Sequence, residues 1–296
     1  MSKKLLLNKG SYNYFVFDVD AGKTIELIDD SYNSITDWGD GSSNTSTSHT
    51  YKRGGKYTVT TKHRINYANS LISYNGYTVS ALIECLGVMK NIDLRNMFRD
   101  CHRLTKADIS SIEYNPQSAQ SLSYTFCSCS SLETIVFPEK IRINNLRGTF
   151  SSCSKLESID TSCFELTYGS ANNFGFDVSG AFSGCSSLKS LDLSWLSEAY
   201  DRITDLSHML SGCKSLTSLD LTPIDTCRVE YFSYMFMGCE SLTSLNINGW
   251  KMKMGLDTYA TKTMFVGCKS LILDGIYMRD CDENVKEHIT NAINNK

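Results

Sequence analysis

Apolar positions along the chain follow two alternating rhythms. Around residue 210, Leu206, Met209, Leu210 and Cys213 fall at i, i+3, i+4 and i+7, the spacing of one face of a helix. The rhythm then changes. Leu216, Leu219 and Leu221 make an L-x-x-L-x-L run, whose alternation predicts a short strand with leucines inward and polar neighbours outward. The same pair of rhythms recurs at Phe232, Met235, Phe236, Cys239 and at Leu94, Met97, Phe98, Cys101, with Thr125, Thr149 and Thr261 as substitutions in other copies.

Aligned on the cysteine, seven copies are in register, at Cys101, Cys129, Cys153, Cys185, Cys213, Cys239 and Cys268. Their separations are 28, 24, 32, 28, 26 and 29 residues. A period of this size means a stack of small units, none able to bury its apolar faces alone. The L-x-x-L-x-L half resembles the leucine-rich-repeat strand signature. The expectation is a helix–turn–strand unit, with strands paired into one parallel sheet and helices lining the opposite side. The last copy, "SLILDGI", places Asp274 where the second leucine is due. After it, Val285, Ile289 and Ala292 share one side of an expected capping helix, with His288 on its solvated surface.

Residues before about 68 lack this pattern. "YNYFVFDV", "KTIELI" and "KYTVTT" read as strands, and Asp40-Gly41 and Gly54-Gly55 as turns, which suggests a small β-sandwich. The pieces "DWGDG" (37–41), "HTY" (49–51) and "GKYTV" (55–59) resemble the polycystic-kidney-disease (PKD) type of immunoglobulin-like domain. Here Trp38 stands just before the GDG turn, where many members of that family have phenylalanine. Asp37, Asp40 and His49 are read as turn-forming side chains rather than a cation site.

Composition adds exclusions. At 41% hydrophobic and 21% charged over 296 residues, the chain is globular, and a net charge of −3 gives no pull toward nucleic acid. The N-terminus has only three leucines in a row, short of a secretory h-region of about 7–15 apolar residues. No run reaches the ~20 apolar residues of a membrane span. Neither a visible signal peptide nor membrane insertion is therefore expected. The register cysteines recur singly, without C-x2-C spacing, and read as packing residues. "CSC" at Cys127–Cys129 is the closest pair, and Cys85, Cys163, Cys227 and Cys281 lie off register. His49, His63, His102, His208 and His288 have no nucleophile and acid at a recognisable spacing. No enzyme, metal or cofactor is expected.

The outward positions of the strand half form two columns. One holds Lys106, Thr134, Ser158, Ser190, Ser218 and Ser244. The other holds Asp108, Val136, Asp160, Asp192, Asp220 and Asn246. At about 4.8 Å between strands, Asp160, Asp192 and Asp220 would form an acidic ladder. Asp108, Asp160, Asp192, Asp220 and Asn246 are thus the candidate partner-binding residues, set against a plain role in turn hydrogen bonds.

A PKD-like module followed by M-F-x-G-C-x-S-L-x-x-L-D-L repeats resembles the BspA-type leucine-rich-repeat proteins of gut bacteria and their phages. The resemblance implies a mixed β and α/β chain: a sandwich at 1–68, a seven-repeat solenoid at 69–281 opening on "SALIECLGVMKNID", and a cap at 282–296. It implies a non-catalytic binding or structural protein. One expectation is a phage virion component, fibre, decoration or tail-associated, contacting other virion subunits. The alternative is a bacterial surface or secreted adhesin contacting a host glycan or protein. Self-assembly into an oligomer stays open.

Overall fold

The computed structural model describes residues 13–27, 35–61, 81–87, 94–110, 119–166, 175–252 and 261–296. The expected domain boundary between 64 and 80, and His63, lie outside these residues.

The N-terminal part is built on strands β1 (Asn13–Val19), β2 (Thr24–Glu26), β3 (Thr36–Asp37), β4 (Ser43–Asn44), β5 (Ser48–Thr50), β6 (Gly55–Thr61) and β7 (Leu82–Gly87). Alternation drives it. Phe15, Phe17 and Val19 of β1 are buried, as are Val59 and Thr61 of β6. β1 pairs antiparallel with both β6 and β7, β3 extends the sheet beyond β6 and ends on β4, and β2 pairs with β5 apart from it. His49 of β5 stacks on the fully buried Trp38 at 5.2 Å, and Tyr51 Oη donates to the Trp38 carbonyl at 2.9 Å.

The tight turn after Trp38 carries a titrating group. Asp40 accepts hydrogen bonds from Ser42 Oγ and Ser42 N, and its other oxygen lies 2.8 Å from His49 Nε2. The Ser42 hydroxyl is the main cause that pulls the Asp40 carboxyl from 3.8 down to about 2. A carboxyl lowered in the folded state stabilises the fold above its unfolded pKa. That contribution is therefore complete above pH 3.8 and disappears as pH falls toward 2. Thermal midpoints measured between pH 2 and 5 should fall with acid, and Asp40→Asn should flatten the slope in that window. An equal slope in both proteins would assign the acid sensitivity elsewhere.

The N-terminal sheet does not end at the solenoid. β7 pairs on its other edge, in parallel, with β8 (Lys106–Asp108), through Cys85↔Ala107. The next strand in sequence, β9 (Gln120–Ser121), belongs to another side of the solenoid. β10 (Thr134–Val136) then pairs with β8, so one seven-stranded sheet joins the two parts in the order β10-β8-β7-β1-β6-β3-β4. An ion pair between Arg103 and Asp18 of β1 crosses the same junction.

Beyond β7 the described residues form a β-solenoid of about five turns, with short strands joined by turns and little helix. β11 (Ile141–Asn145) stacks between β9 and β12 (Phe164–Leu166) on a second side. β13 (Ser218–Asp220), β14 (Ser244–Asn246) and β15 (Ile276–Tyr277) form a parallel sheet near the C-terminal end. Two expectations are corrected here. Segments 156–161 and 188–193 carry no strand, so the leucine side is not one continuous sheet. In the last copy a 3-10 turn, Leu273–Gly275, loops out, and Ile276 takes the place opposite Leu245 that was assigned to Asp274.

The larger correction concerns the helical half. Each cysteine segment is a run of turns, not an α-helix, apart from helical Thr261 and Lys262 at the start of the last copy. The residue one before every register cysteine, and the residue five before all of them except Cys268, sit in the left-handed region: Asn96, Tyr124, Gly148, Gly180, His208 and Tyr234 at the first position, and Asp100, Ser128, Ser152, Gly184, Gly212, Gly238 and Gly267 at the second. A right-handed helix cannot pass through such residues. The expected burial still holds, because Leu206, Met209, Leu210 and Cys213 are all fully buried. Backbone bonds leave each segment for the next, as from Phe98 N to the Thr125 carbonyl at 2.8 Å and from Phe150 N to the Ala181 carbonyl at 2.8 Å. Phe98, Phe126, Phe150 and Phe182 stack in line with centroids 5.2, 5.8 and 5.3 Å apart.

The chain ends in α1 (Glu283–Asn294). Asp282 caps it by accepting from Val285 N at 2.8 Å, and Val285, Ile289, Ala292 and Ile293 face inward. His288 is half-buried with Nδ1 3.1 Å from Thr261 Oγ1, rather than fully solvated.

Candidate functional site

The cysteine column is a packing column. All seven register cysteines are fully buried. From Cys129 onward, each thiol lies 2.9–3.2 Å from the carbonyl of the residue three before the preceding register cysteine, and donates to it. That carbonyl also accepts the N–H of its own copy's cysteine, at 3.0–3.2 Å. A carbonyl has two lone pairs, so both bonds are satisfied together. Burial pushes the Cys101, Cys129, Cys153, Cys185 and Cys213 thiols up, Cys213 to about 12, which leaves them protonated and poor nucleophiles, whereas in the last pair the thiol–thiol hydrogen bond raises Cys239 and lowers Cys268. Half-buried Cys127 contacts Ser128 Oγ at 3.8 Å. Among the described residues no group of three or more histidine, cysteine or acidic side chains has metal-holding geometry.

The acidic column has a job at each level. Asp108 accepts from Ser110 N and Oγ, and Asp160 from Ser162 N and Oγ at 3.0 and 2.6 Å. Asp192 accepts from Ser194 N, Asp220 from Thr222 N and Asn246 from Asn248 N, at 2.9, 3.0 and 3.2 Å. These are Asx turns, in which a side chain caps the backbone two residues on. The Ser162 hydroxyl is the first cause that holds the Asp160 carboxyl below its ordinary value. A second column on another side, Asn145, Asp177 and Asp205, does the same for Arg147, Ser179 and Ser207.

No two acids of the first column are neighbours in paired strands. Asp108 lies between Leu86 and Val136, and Asp220 lies beside Asn246. Asp160 and Asp192 stand outside strands. The column ends on Tyr277, directly opposite Asn246 and 56% exposed, while Val136 near the other end is also exposed. Tyr277 was missed because the last copy was read two residues out of register; the alternation Ile276 inward, Tyr277 outward was its signal.

Of the histidines, His102 places Nδ1 2.8 Å from the Ser128 carbonyl, and exposed His208 stacks on Tyr234 at 5.0 Å. Tyr124 lies under Arg99 and receives a hydrogen bond from Arg147 Nε at 2.8 Å. Tyr124, His208 and Tyr234 share one position of the turn segment, five residues before the register cysteine.

Parallel strands, single-cysteine turns and leucines pointing inward define a leucine-rich β-solenoid. Comparison agrees over part of the chain: residues 89–176 match the family described as BspA type Leucine rich repeat region (6 copies). Residues 176–291 match a family described as Mycoplasma protein of unknown function, DUF285. No curated protein matches. Among solved structures, a leucine rich cell surface protein from Faecalibacterium prausnitzii A2-165 is similar at 16% identity and a TM-score of 0.35. The match covers 72% of this chain and 64% of that one, so this chain spans under two thirds of its length. Among the described residues no helix is long and apolar enough to cross a membrane.

Proposed function

We propose that the chain is a non-catalytic recognition protein of a cell surface, with the outward column of the leucine side as its contact face. In this reading all seven cysteine copies are coils of one stack, and the N-terminal strands form the PKD-like module that carries it. The observation that carries the proposal is Tyr277, which stands exposed at the end of the column instead of an Asx residue. An exposed tyrosine on a rigid sheet is a typical interface anchor. Val136 supplies a second apolar point, and the exposed Asp160, Asp192 and Asp220 supply polar contacts between them. The turn bonds fix these carboxylates in place, so a partner meets them preorganised. The BspA-type match favours the bacterial surface setting over the virion one, for which the fold offers no separate support.

The test is binding of fluorescently labelled protein to intact epithelial and bacterial cells. Saturable binding is expected, reduced at least fivefold by Val136→Ser with Tyr277→Ser. Asp160, Asp192 and Asp220 changed together to asparagine should reduce it further while the Asx turns persist. Saturable binding that survives both sets of changes would remove this face as the contact surface.

A further inference from the structure

The last rung of the leucine side leaves its outer edge unpaired. β15 is the edge strand of its sheet, next to β14. In the rung before it, Ile247 N donates to the Tyr277 carbonyl and Gly249 N to the Arg279 carbonyl, at 2.9 and 2.8 Å. One level on, the matching donors are Met278 N and Asp280 N. The backbone repeats as well, since Gly249 and Asp280 are both left-handed, with φ of 78 and 61°. Yet neither Met278 N nor Asp280 N has an acceptor among the described residues.

The capping helix does not close this edge. α1 sets Val285, Ile289, Ala292 and Ile293 on the core and leaves Ile272 and Tyr277 of the last rung exposed, at 60% and 56%. From Leu271 to Met278 the rung carries no lysine or proline, the residues that commonly block pairing at a sheet edge.

The spacing of the two donors sets the chemistry of what fits. Alternate residues of an extended chain lie about 6.6 Å apart and aim their carbonyls to the same side. One strand therefore reaches both donors, as the Tyr277 and Arg279 carbonyls do for the rung below. Register follows from the same pattern. Tyr277 stands opposite Asn246, so the added residue that accepts from Met278 N would stand opposite Tyr277 and share its outward face.

We propose that this edge takes an extended polypeptide segment of the partner as one further parallel rung. Carbonyls of two alternate residues accept from Met278 N and Asp280 N. The side chain of the first, aliphatic or aromatic, packs beside the Tyr277 ring as a cross-strand pair. Main-chain bonds supply affinity in this mode, and the side chain beside Tyr277 supplies selection. The inference rests on the recognition reading above and names its partner as protein rather than glycan.

The probes are the labelled peptide DGIYMRD, which repeats residues 274–280, and an array of decapeptides with alternating apolar residues. Both are titrated against the full chain, read by fluorescence anisotropy and amide NMR. Binding of at least one sequence is expected, with hydrogen exchange at Met278 N and Asp280 N slowed at least tenfold on saturation. Met278→Pro deletes a donor that bonds nothing in the free chain, and an edge strand tolerates proline. Its thermal midpoint should hold within a few degrees while peptide binding falls at least tenfold. Met278→Ala loses the side chain but keeps the donor, and should weaken binding much less. No peptide bound, unchanged exchange at both amides, or equal binding by the proline and alanine variants overturns the proposal. Concentration-dependent dimers in light scattering that Met278→Pro abolishes would also overturn it, by giving the edge to a second copy. Cell binding that Val136→Ser with Tyr277→Ser reduces but Met278→Pro does not would leave the recognition reading standing without strand addition.

Discussion

Phe150→Ala is expected to cost about 3–5 kcal/mol, among the largest effects of any single truncation in the solenoid. Phe150 is fully buried and sits mid-stack, 5.8 Å from Phe126 and 5.3 Å from Phe182, with Phe137 edge-on at 6.5 Å. Its removal leaves a ring-sized cavity between close-packed levels and ends two stacking contacts worth about 0.5–1.5 kcal/mol each beyond area burial. The location raises the consequence. On the leucine side the segments at 156–161 and 188–193 form no strands, so fewer backbone bonds cross this level. What joins the Cys153 and Cys185 copies is chiefly the turn ladder, through Gly148, Phe150 and Ser152 N–H groups, and the phenylalanine stack. In a stack whose stability is a sum of neighbour terms, weakening one level uncouples the two sides. Urea denaturation should therefore show a lowered midpoint and a second transition. A single transition shifted by under ~1 kcal/mol would mean that the level collapses around the gap.

The inward set was legible except in the last copy, where Ile276 replaces Asp274, and the element type was not, for one physical reason. Successive i→i+3 turns return side chains to the core at the spacings of a helix, so Leu206, Met209, Leu210 and Cys213 satisfy either structure. The discriminating signal was present: Gly184, Gly212, Gly238 and Gly267 precede four of the cysteines, and glycine in a helix interior is disfavoured. Ser128, Ser152, Tyr124 and His208 take the same left-handed backbone without that signature, which hid the pattern. The acidic column was legible as a column but not as turn chemistry; the serine or threonine two residues after Asp108, Asp160, Asp192 and Asp220 was the local clue. Sequence separation concealed the junction. β7 was assigned to the solenoid, yet it pairs with β1 as well as β8, a non-local choice that no window of residues records.

Gly39→Ala should destabilise the N-terminal strands by more than about 4 kcal/mol, a size single substitutions rarely reach. Two costs combine there. With φ at +78°, a side chain at Gly39 carries left-handed strain of about 1–2 kcal/mol. Its Cβ would also lie 2.6 Å from the Thr58 carbonyl oxygen and 3.0 Å from Thr58 N. Both atoms belong to the backbone of β6, which is fixed between β1 and β3 and has no rotamer to yield. Gly41 separates the two costs. It is equally left-handed, at +90°, but an added Cβ there meets nothing within 4 Å. Gly41→Asn should thus be nearly neutral, whereas Gly39→Asn should be as damaging as Gly39→Ala, since tolerance of the dihedral does not relieve the collision. Trp38, fully buried next to the turn, reports the result through its fluorescence. Because β7 ties β1 to β8, loss of this unit also bares the first strand of the solenoid, and the effect should reach Cys85 and Cys101 as faster thiol labelling. If Gly39→Asn were tolerated as well as Gly41→Asn, the close approach of the turn to β6 would not be what fixes this glycine.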